Sequence, residues 1–256
     1  MTKQARVSMG VAETEAIVLR TYKLAEADKI TVFLSQHFGV MRGVARGARR
    51  LKSKFGASLE PFTLVSLSYY EKEGQELVAI RQADILRSFF ELSQNTEVVI
   101  ALEYIGGLIL EFTPPHEPNE KVFRMLRACL EAIAETPGDV RQITRYCEVW
   151  LLKLSGFLPD LRSCLNCKKS FSVGNEKTYL GIDGALRCER CAHKADLSLG
   201  GETVAQLRAT QKKTPADWAR DRVTISETTS KELSQMMQRL ITRALERLPK
   251  GRATVE

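Results

Sequence analysis

No glycine-rich phosphate cradle occurs in this chain. Neither G-x-x-x-x-G-K-[ST] nor G-x-G-x-x-G is present, which removes the common nucleoside-triphosphate and dinucleotide sites. Histidine is scarce, with only His37, His116 and His193. None forms H-x-E beside cysteines, as a zinc deaminase needs. His116-Glu117 has no second histidine three residues on, so H-E-x-x-H chemistry is absent too. No G-x-S-x-G elbow appears. Carboxylate pairs such as Glu71 and Glu73 fall on a turn-like segment and read as surface charge. Nothing in the chain assembles an acid, a base and a nucleophile, and the expectation is a protein that is not an enzyme.

Long apolar runs are missing as well. None approaches the roughly 20 residues that a membrane helix requires, so no membrane partner is expected. The opening MTKQARVSMG carries two cations but no apolar core and does not read as a signal peptide. Residues 1–12 read as a flexible tail in which Met9 offers a second start. These features point to a cytoplasmic protein, where thiols stay reduced.

What is present is cationic and unevenly spread. The chain has 256 residues, 44% of them hydrophobic and 7% aromatic, with a formal net charge of +7. Residues 1–88 hold 14 Lys and Arg against 9 Asp and Glu, a net of +5. Residues 89–161 hold 6 against 11, a net of −5, and residues 162–194 return to +4. Segregated positive charge implies a polyanion on one face, although cations scattered over a solvated surface would give the same totals.

The first third reads as strands. AIVLRTY (16–22), KITVFLS (29–35), GVMRGVARG (39–47), FTLVSLSYY (62–70) and ELVAIRQADIL (76–86) are β-branched and partly alternating. Breaks lie at Asp28, at Phe38-Gly39 and at the turn Lys72-Glu73-Gly74. Five short strands without intervening helices suggest a small barrel over residues 13–88. An OB fold closes with five strands and leaves no long edge unpaired, while an SH3-like barrel has a similar pattern. From residue 89 the period changes to that of helices. Apolar stripes run through 96–112, 119–135, 139–156 and 230–248, with Gly106-Gly107 weakening the first. The expected fold is α+β: an N-terminal OB barrel, then a helical domain over 89–256 that carries an inserted cysteine segment at 162–194.

The six cysteines are of two kinds. Cys129 and Cys147 fall on apolar helix faces and read as small core hydrophobes. Cys164, Cys167, Cys188 and Cys191 form C-x2-C-x20-C-x2-C, in a segment with turn-forming Gly174, Asn175, Gly181, Asp183 and Gly184. Each pair can offer two thiolates to one metal, and an intervening hairpin would bring the pairs together. Four soft thiolates favour a single Zn2+, and four protein ligands leave it no open position, so the ion would be structural. A disulfide pair is disfavoured in a reducing compartment. Lys168, Lys169, Arg187 and Arg190 lie nearby to offset the charge of the thiolates.

The segment MRGVARGARRLKSKFG (41–56) holds Arg42, Arg46, Arg49, Arg50, Lys52 and Lys54 and no acid. On a strand, Arg42 and Arg46 share a face, and Arg49 to Lys54 continue into a mobile loop. Such a run suits phosphate contacts, which give affinity without reading sequence. Phe55, Tyr69 and Tyr70 are candidates for base stacking and equally for the core. A competing reading is a zinc-ribbon adaptor that docks proteins on its acidic helical region, with incidental nucleic-acid affinity.

ETEAIVLRTYKLAEADKITVFLSQHFGVMRGVARGARRLKS resembles the N-terminal barrel of the RecO family of bacterial DNA repair proteins. LLKLSGFLPDLRSCLNC, continuing to CERC, is similar to the same family's helical domain and zinc motif. The resemblance covers most of residues 13–195. It implies an OB fold, a helical domain and a structural zinc on the four cysteines. It also implies non-enzymatic binding of single- and double-stranded DNA, and annealing of complementary strands coated with single-stranded DNA-binding protein. Work with RecR to load RecA in DNA damage repair and recombination, within the bacterial nucleoid, belongs to the same expectation. The six cations from Arg42 to Lys54 occupy the family's basic barrel region. The site for the tail of single-stranded DNA-binding protein belongs to the helical domain.

Overall fold

The computed structural model describes residues 11–71, 76–172, 176–221 and 225–251. Residues 1–10 of the expected tail, Met9 among them, the turn at Lys72-Glu73-Gly74 and the turn residues Gly174 and Asn175 lie outside them, whereas Ala12, the last residue of that tail, is already in strand and level with Tyr69. Five strands close a barrel: β1 (Ala12–Leu24), β2 (Asp28–Ser35), β3 (Gly39–Ala45), β4 (Leu64–Tyr70) and β5 (Leu77–Arg87), in the order β1-β2-β3-β5-β4. All neighbours are antiparallel except β3 with β5. β1 is longer than AIVLRTY because it serves two partners, Ala12–Ile17 facing β4 and Ala16–Leu24 facing β2. This closure leaves no strand edge open, as expected of an OB barrel.

Alternation sends one set of side chains inward. Ala16, Phe33, Met41, Ala45, Val65, Leu67, Tyr69, Val78 and Ile80 form a buried cluster. Two glycines permit this packing. A Cβ at Gly43 would lie 2.7 Å from Ile80 Cγ1. Gly39 has φ +69°, and a Cβ there would meet the Glu117 carbonyl oxygen at 2.1 Å.

β3 stops at Ala45, two residues earlier than the sequence pattern indicates. The reason is a non-local tie: Gly47 enters the left-handed region at φ +71°, and its amide donates to Asp28 Oδ1 at 2.7 Å. Residues 46–63 then form a string of turns rather than a free loop. The Arg49 amide donates to the Ala27 carbonyl at 2.9 Å, and the Phe62 amide to the Val18 carbonyl at 2.7 Å. Ala48, Phe55 and Leu59 from this segment join the barrel cluster. Burying the last two contributes about 2 kcal/mol each.

Beyond the barrel come α1 (Thr96–Phe112), α2 (Glu120–Glu135) and α3 (Val140–Leu154). Asn95 caps α1 by accepting from the amides of Glu97 and Val98. The Gly106-Gly107 pair is accommodated inside α1. The chain divides into two compact units. One holds the barrel and runs to Leu102, with Ile109–Leu130; the other holds Glu103–Leu108 and the chain from Glu131 onward.

In the second unit α3 packs against α4 (Gly201–Thr210), α5 (Pro215–Arg220) and α6 (Glu227–Leu245). Trp150 Nε1 donates to the Thr210 carbonyl at 3.0 Å and the Tyr146 hydroxyl to the Lys213 carbonyl at 2.9 Å, tying α3 to the α4–α5 connection. Cys147 is fully buried on α3, and Cys129 is fully buried on α2. A three-stranded sheet, β6 (Thr178–Leu180), β7 (Leu186–Cys188) and β8 (Leu197–Leu199) in the order β7-β6-β8, stands between α3 and α4 in sequence. Among the described residues no helix is long and apolar enough to cross a membrane.

Candidate metal centre and nucleic-acid surface

The β6–β7 hairpin turns at Gly181–Gly184, where Gly184 takes φ +77° and the Gly181 amide donates to the Ala185 carbonyl at 2.9 Å. Arg187 Nη1 and Nη2 grip the Asp183 carboxylate at 2.9 and 2.6 Å across that turn. The hairpin ends at Cys188, and one short helical turn (Glu189–Cys191) delivers Cys191. The other pair sits on a tight loop closed by Lys168, whose φ is +61° and whose amide donates to the Cys164 carbonyl at 3.0 Å. The Leu165 amide donates to the Leu186 carbonyl at 3.0 Å and locks the two halves together.

All four sulfurs lie within 4.8 Å of one another, and Cys167 Sγ is 3.6 Å from Cys188 Sγ. Metal–sulfur bonds of about 2.3 Å in a tetrahedron imply sulfurs about 3.8 Å apart, so the set fits one ion. The electrostatics agree. Burial raises the Cys164 pKa most strongly, yet the amides of Cys167, Cys188 and Asn166 together outweigh it and hold the thiol at about 6. Four thiols packed this closely cannot all ionise without a cation among them. Cys191 is accordingly pushed up to about 12, first by burial and then by hydrogen bonds with the sulfurs of Cys167, Cys188 and Cys164. The Cys164, Cys167, Cys188 and Cys191 side chains are therefore placed to hold one metal ion together, and none of the six cysteines is in a disulfide. Of the neighbouring cations, Arg187 is spent on Asp183 and Lys169 on Glu176, while Lys168 and Arg190 are exposed.

The six barrel cations are all exposed, but they are not equivalent. Arg42 projects from β3, and Arg46 begins the string of turns. Arg49 Nη1 donates to the Ala25 and Glu26 carbonyls, both at 2.9 Å, so its guanidinium braces the β1–β2 turn. Arg50 and Lys52 are exposed on the turns, and Lys54 Nζ lies 5.1 Å from the centre of the Phe55 ring. Of the three aromatic stacking candidates, Phe55 and Tyr69 are core residues at 3% and 1% exposure, and Tyr70 is 41% exposed. Tyr69 meets Phe38 edge-on at 6.2 Å, and burial, then Glu71, pushes its phenol up to about 12.

Strand register adds residues that the charge pattern alone does not single out. Arg20 of β1 is level with Val32 of β2, which is level with Arg42 of β3. Two residues along, Tyr22 is level with Ile30, Ile30 with Val44, and Val44 with Ala79 of β5. Tyr22 is 51% exposed and Arg20 is exposed. The signal was in AIVLRTY: a strand that is apolar through Leu19 and then places Arg and Tyr two residues apart puts both on one face.

Residues 9–89 match the family model described as Recombination protein O N terminal, and residues 94–253 match Recombination protein O C terminal. A DNA repair protein RecO of Koribacter versatilis is 37% identical over 155 residues, spanning 60% of this chain and 63% of the relative. The protein of the same name from a Nocardioides species is 33% identical over 210 residues, 80% of this chain and 83% of the relative. That of Anaeromyxobacter dehalogenans is 30% identical over 201 residues, 78% of each. The Koribacter match thus spans a little under two thirds of that relative's length, whereas the two family models together run through both the barrel and the helical part. The chain belongs to the RecO family of DNA repair proteins.

Proposed function

We propose that this protein is a DNA-binding recombination mediator. It anneals complementary single strands coated with single-stranded DNA-binding protein and, together with RecR, helps to load the RecA recombinase during repair in the bacterial nucleoid. The observation that carries this reading is the acid-free run from Arg42 to Lys54, exposed along one barrel strand and the turns that follow it. Cations held on a folded surface neutralise two phosphate backbones at once, which lowers their mutual repulsion enough for pairing. No covalent chemistry is required, so the protein acts by binding alone.

Within this reading residues 13–88 are the DNA-binding domain and residues 89–256 the helical domain that meets proteins. The four cysteines hold one structural Zn2+, which pins the hairpin and supplies no reactive position. A cleft of about 750 Å³ in the helical part is lined by Arg141, Arg145, Trp218 and Lys231 among others. We place the tail of single-stranded DNA-binding protein there, where Arg141, Arg145 and Lys231 line the cleft and an acidic peptide would compete with Glu148 for Arg145 and with Glu227 for Lys231.

The deciding measurement is the annealing rate of complementary oligonucleotides coated with the cognate single-stranded DNA-binding protein, with and without this chain. Strong acceleration that fades with salt is expected. If zinc-loaded, folded protein gives no acceleration, annealing is not its activity, and the protein-docking adaptor becomes the better account.

A further inference from the structure

We infer that Arg208 of α4 is a positioning residue for the metal centre: its guanidinium clamps the neck of the loop that carries Cys164 and Cys167, and so sets how tightly the four cysteines hold their ion. The inference rests on the structural-zinc reading above and assigns a role to a residue that lies outside the cysteine motif.

The two thiols stand at the tip of a narrow loop. At its neck the Phe171 amide donates to the Arg162 carbonyl at 2.8 Å, and Ser163 and Ser170 are level in an antiparallel bridge. Nearer the tip the Cys164 amide donates to the Lys169 carbonyl at 2.9 Å. An isolated two-stranded piece of this kind is marginal in water at best. Leu161 and Phe171, where the two arms leave the rest of the chain, are buried at 3% and 5% exposure. Arg208 reaches both. Its Nε donates to the Leu161 carbonyl at 3.1 Å, and its Nη2 donates to the Leu161 carbonyl at 2.6 Å and to the Phe171 carbonyl at 3.2 Å. One planar group thus spans both arms.

An arginine bound to backbone carbonyls commonly does no more than staple two segments. Three observations assign more to this one. Its donors serve the two arms of a single loop, so the contact closes that loop at its base. Among the described residues it has no carboxylate partner, unlike Arg187, which is matched to Asp183 in the other half of the site. Its own position is set without the metal: the adjacent Leu207 is fully buried, and the Thr210 carbonyl accepts from Trp150 Nε1 of α3 at 3.0 Å. The neck is therefore fixed to the helices, and not only to the ion.

Metal affinity follows from this. A ligand loop that must be ordered when the ion arrives binds it more weakly, because ordering opposes binding. With the neck already closed, Cys164 and Cys167 wait in place. Groups that orient metal ligands without touching the ion commonly change affinity 10- to 100-fold when removed. Slack at the neck also reaches Cys188 and Cys191, since the Leu165 amide joins the loop to the hairpin at the Leu186 carbonyl at 3.0 Å.

The test uses the full chain. Competition with a chelating dye measures zinc affinity, and cobalt(II) absorption reports the ligand set. Arg208→Ala is expected to weaken zinc binding about thirtyfold, while the cobalt-saturated variant keeps the spectrum of four thiolates. Arg208→Lys, which lacks the fork that grips two carbonyls, should recover only part of the loss. Hydrogen exchange should find the Cys164 and Phe171 amides protected in the metal-free parent and unprotected in metal-free Arg208→Ala. A plain staple would lower the stability of metal-free and metal-loaded protein alike and leave zinc affinity unmoved. If Arg208→Ala binds zinc within about threefold of the parent, a change too small for a ligand-orienting group, the inference is overturned and the zinc reading stands. Unprotected neck amides in the metal-free parent overturn it too, even where a variant fails to fold. If the parent itself takes up neither zinc nor cobalt, the zinc reading falls and the inference with it.

Discussion

Glu202 and Glu232 each hold the start of the other's helix. Glu202, in the first turn of α4, accepts from the hydroxyls of Thr229 at 2.6 Å and Ser226 at 3.1 Å, where α6 begins. Glu232, in the second turn of α6, accepts from the Gly200 amide at 2.7 Å and from the Thr203 hydroxyl, where α4 begins. Two carboxylates thus meet the positive ends of two helix dipoles reciprocally, and the pair makes α4 and α6 depend on each other.

The first consequence is sensitivity to acid. The hydrogen bond from Thr229, more than any other contact, holds the Glu202 carboxyl below the usual glutamate range. A depressed folded-state pKa contributes stability that is fully present above the unfolded value and is lost as pH falls through the folded one. Unfolding followed by circular dichroism should show stability declining below about pH 5, and Glu202→Gln should flatten that decline. Ser226→Ala, which removes the N-cap of α6, should cost about 1 kcal/mol at neutral pH.

Metal removal should be more severe. Elemental analysis is expected to find one zinc ion per chain. Chelation, or Cys188→Ser, should lower the thermal midpoint by about 10 °C, since losing about 3 kcal/mol shifts a domain of this size by that much. An unchanged midpoint in metal-free protein would mean that the β6–β7 hairpin holds itself without an ion.

Among the barrel cations Arg49 is engaged with backbone carbonyls, and the proposed nucleic-acid role falls to the others. Charge reversal of Arg46 and Arg50 should suppress annealing and reduce the salt slope on single strands by about 0.7 per lost contact, with little change in stability. Arg49→Ala should instead cost about 1 kcal/mol of stability, because its guanidinium braces the Ala25–Glu26 carbonyls. Denaturant titration beside binding isotherms distinguishes the two behaviours.

Inside the barrel, Gly43→Ala should destabilise by about 1–3 kcal/mol through overpacking. The added methyl would crowd Ile80 Cγ1 at 2.7 Å, Ile80 Cδ1 at 2.9 Å and Val78 Cγ2 at 3.0 Å. Chemical denaturation of the variant checks this, and the companion change Ile80→Val should recover part of the loss.

The barrel was legible in the sequence because five short, β-branched and partly alternating segments follow one another with no helical period between them. The metal set was legible because two Cys-x-x-Cys pairs have few other uses. What escaped depended on distant partners. The end of β3 is set by Asp28, which precedes Gly47 by 19 positions. The last helix begins at Glu227 behind its Ser226 cap and ends where Glu246 turns left-handed at φ 55°. Its apolar stripe alone places both ends three residues too late. α5 was signalled by Thr214-Pro215, a capping threonine followed by proline at the first helical position, but its short span hides any periodicity.

Residues 46–63 carry their charges outside and put Ala48, Phe55 and Leu59 into the barrel cluster. The spacing of the cations is therefore fixed when the chain folds, and a nucleic acid that arrives later need not organise the segment to use it. The same arrangement separates two kinds of evolutionary freedom. Exposed Arg50, Lys52 and Lys54 can be exchanged without loss of packing, provided that Phe55 and Leu59 keep filling the barrel. Deleting even a few of these positions would withdraw the plug and spoil the vessel along with the handle.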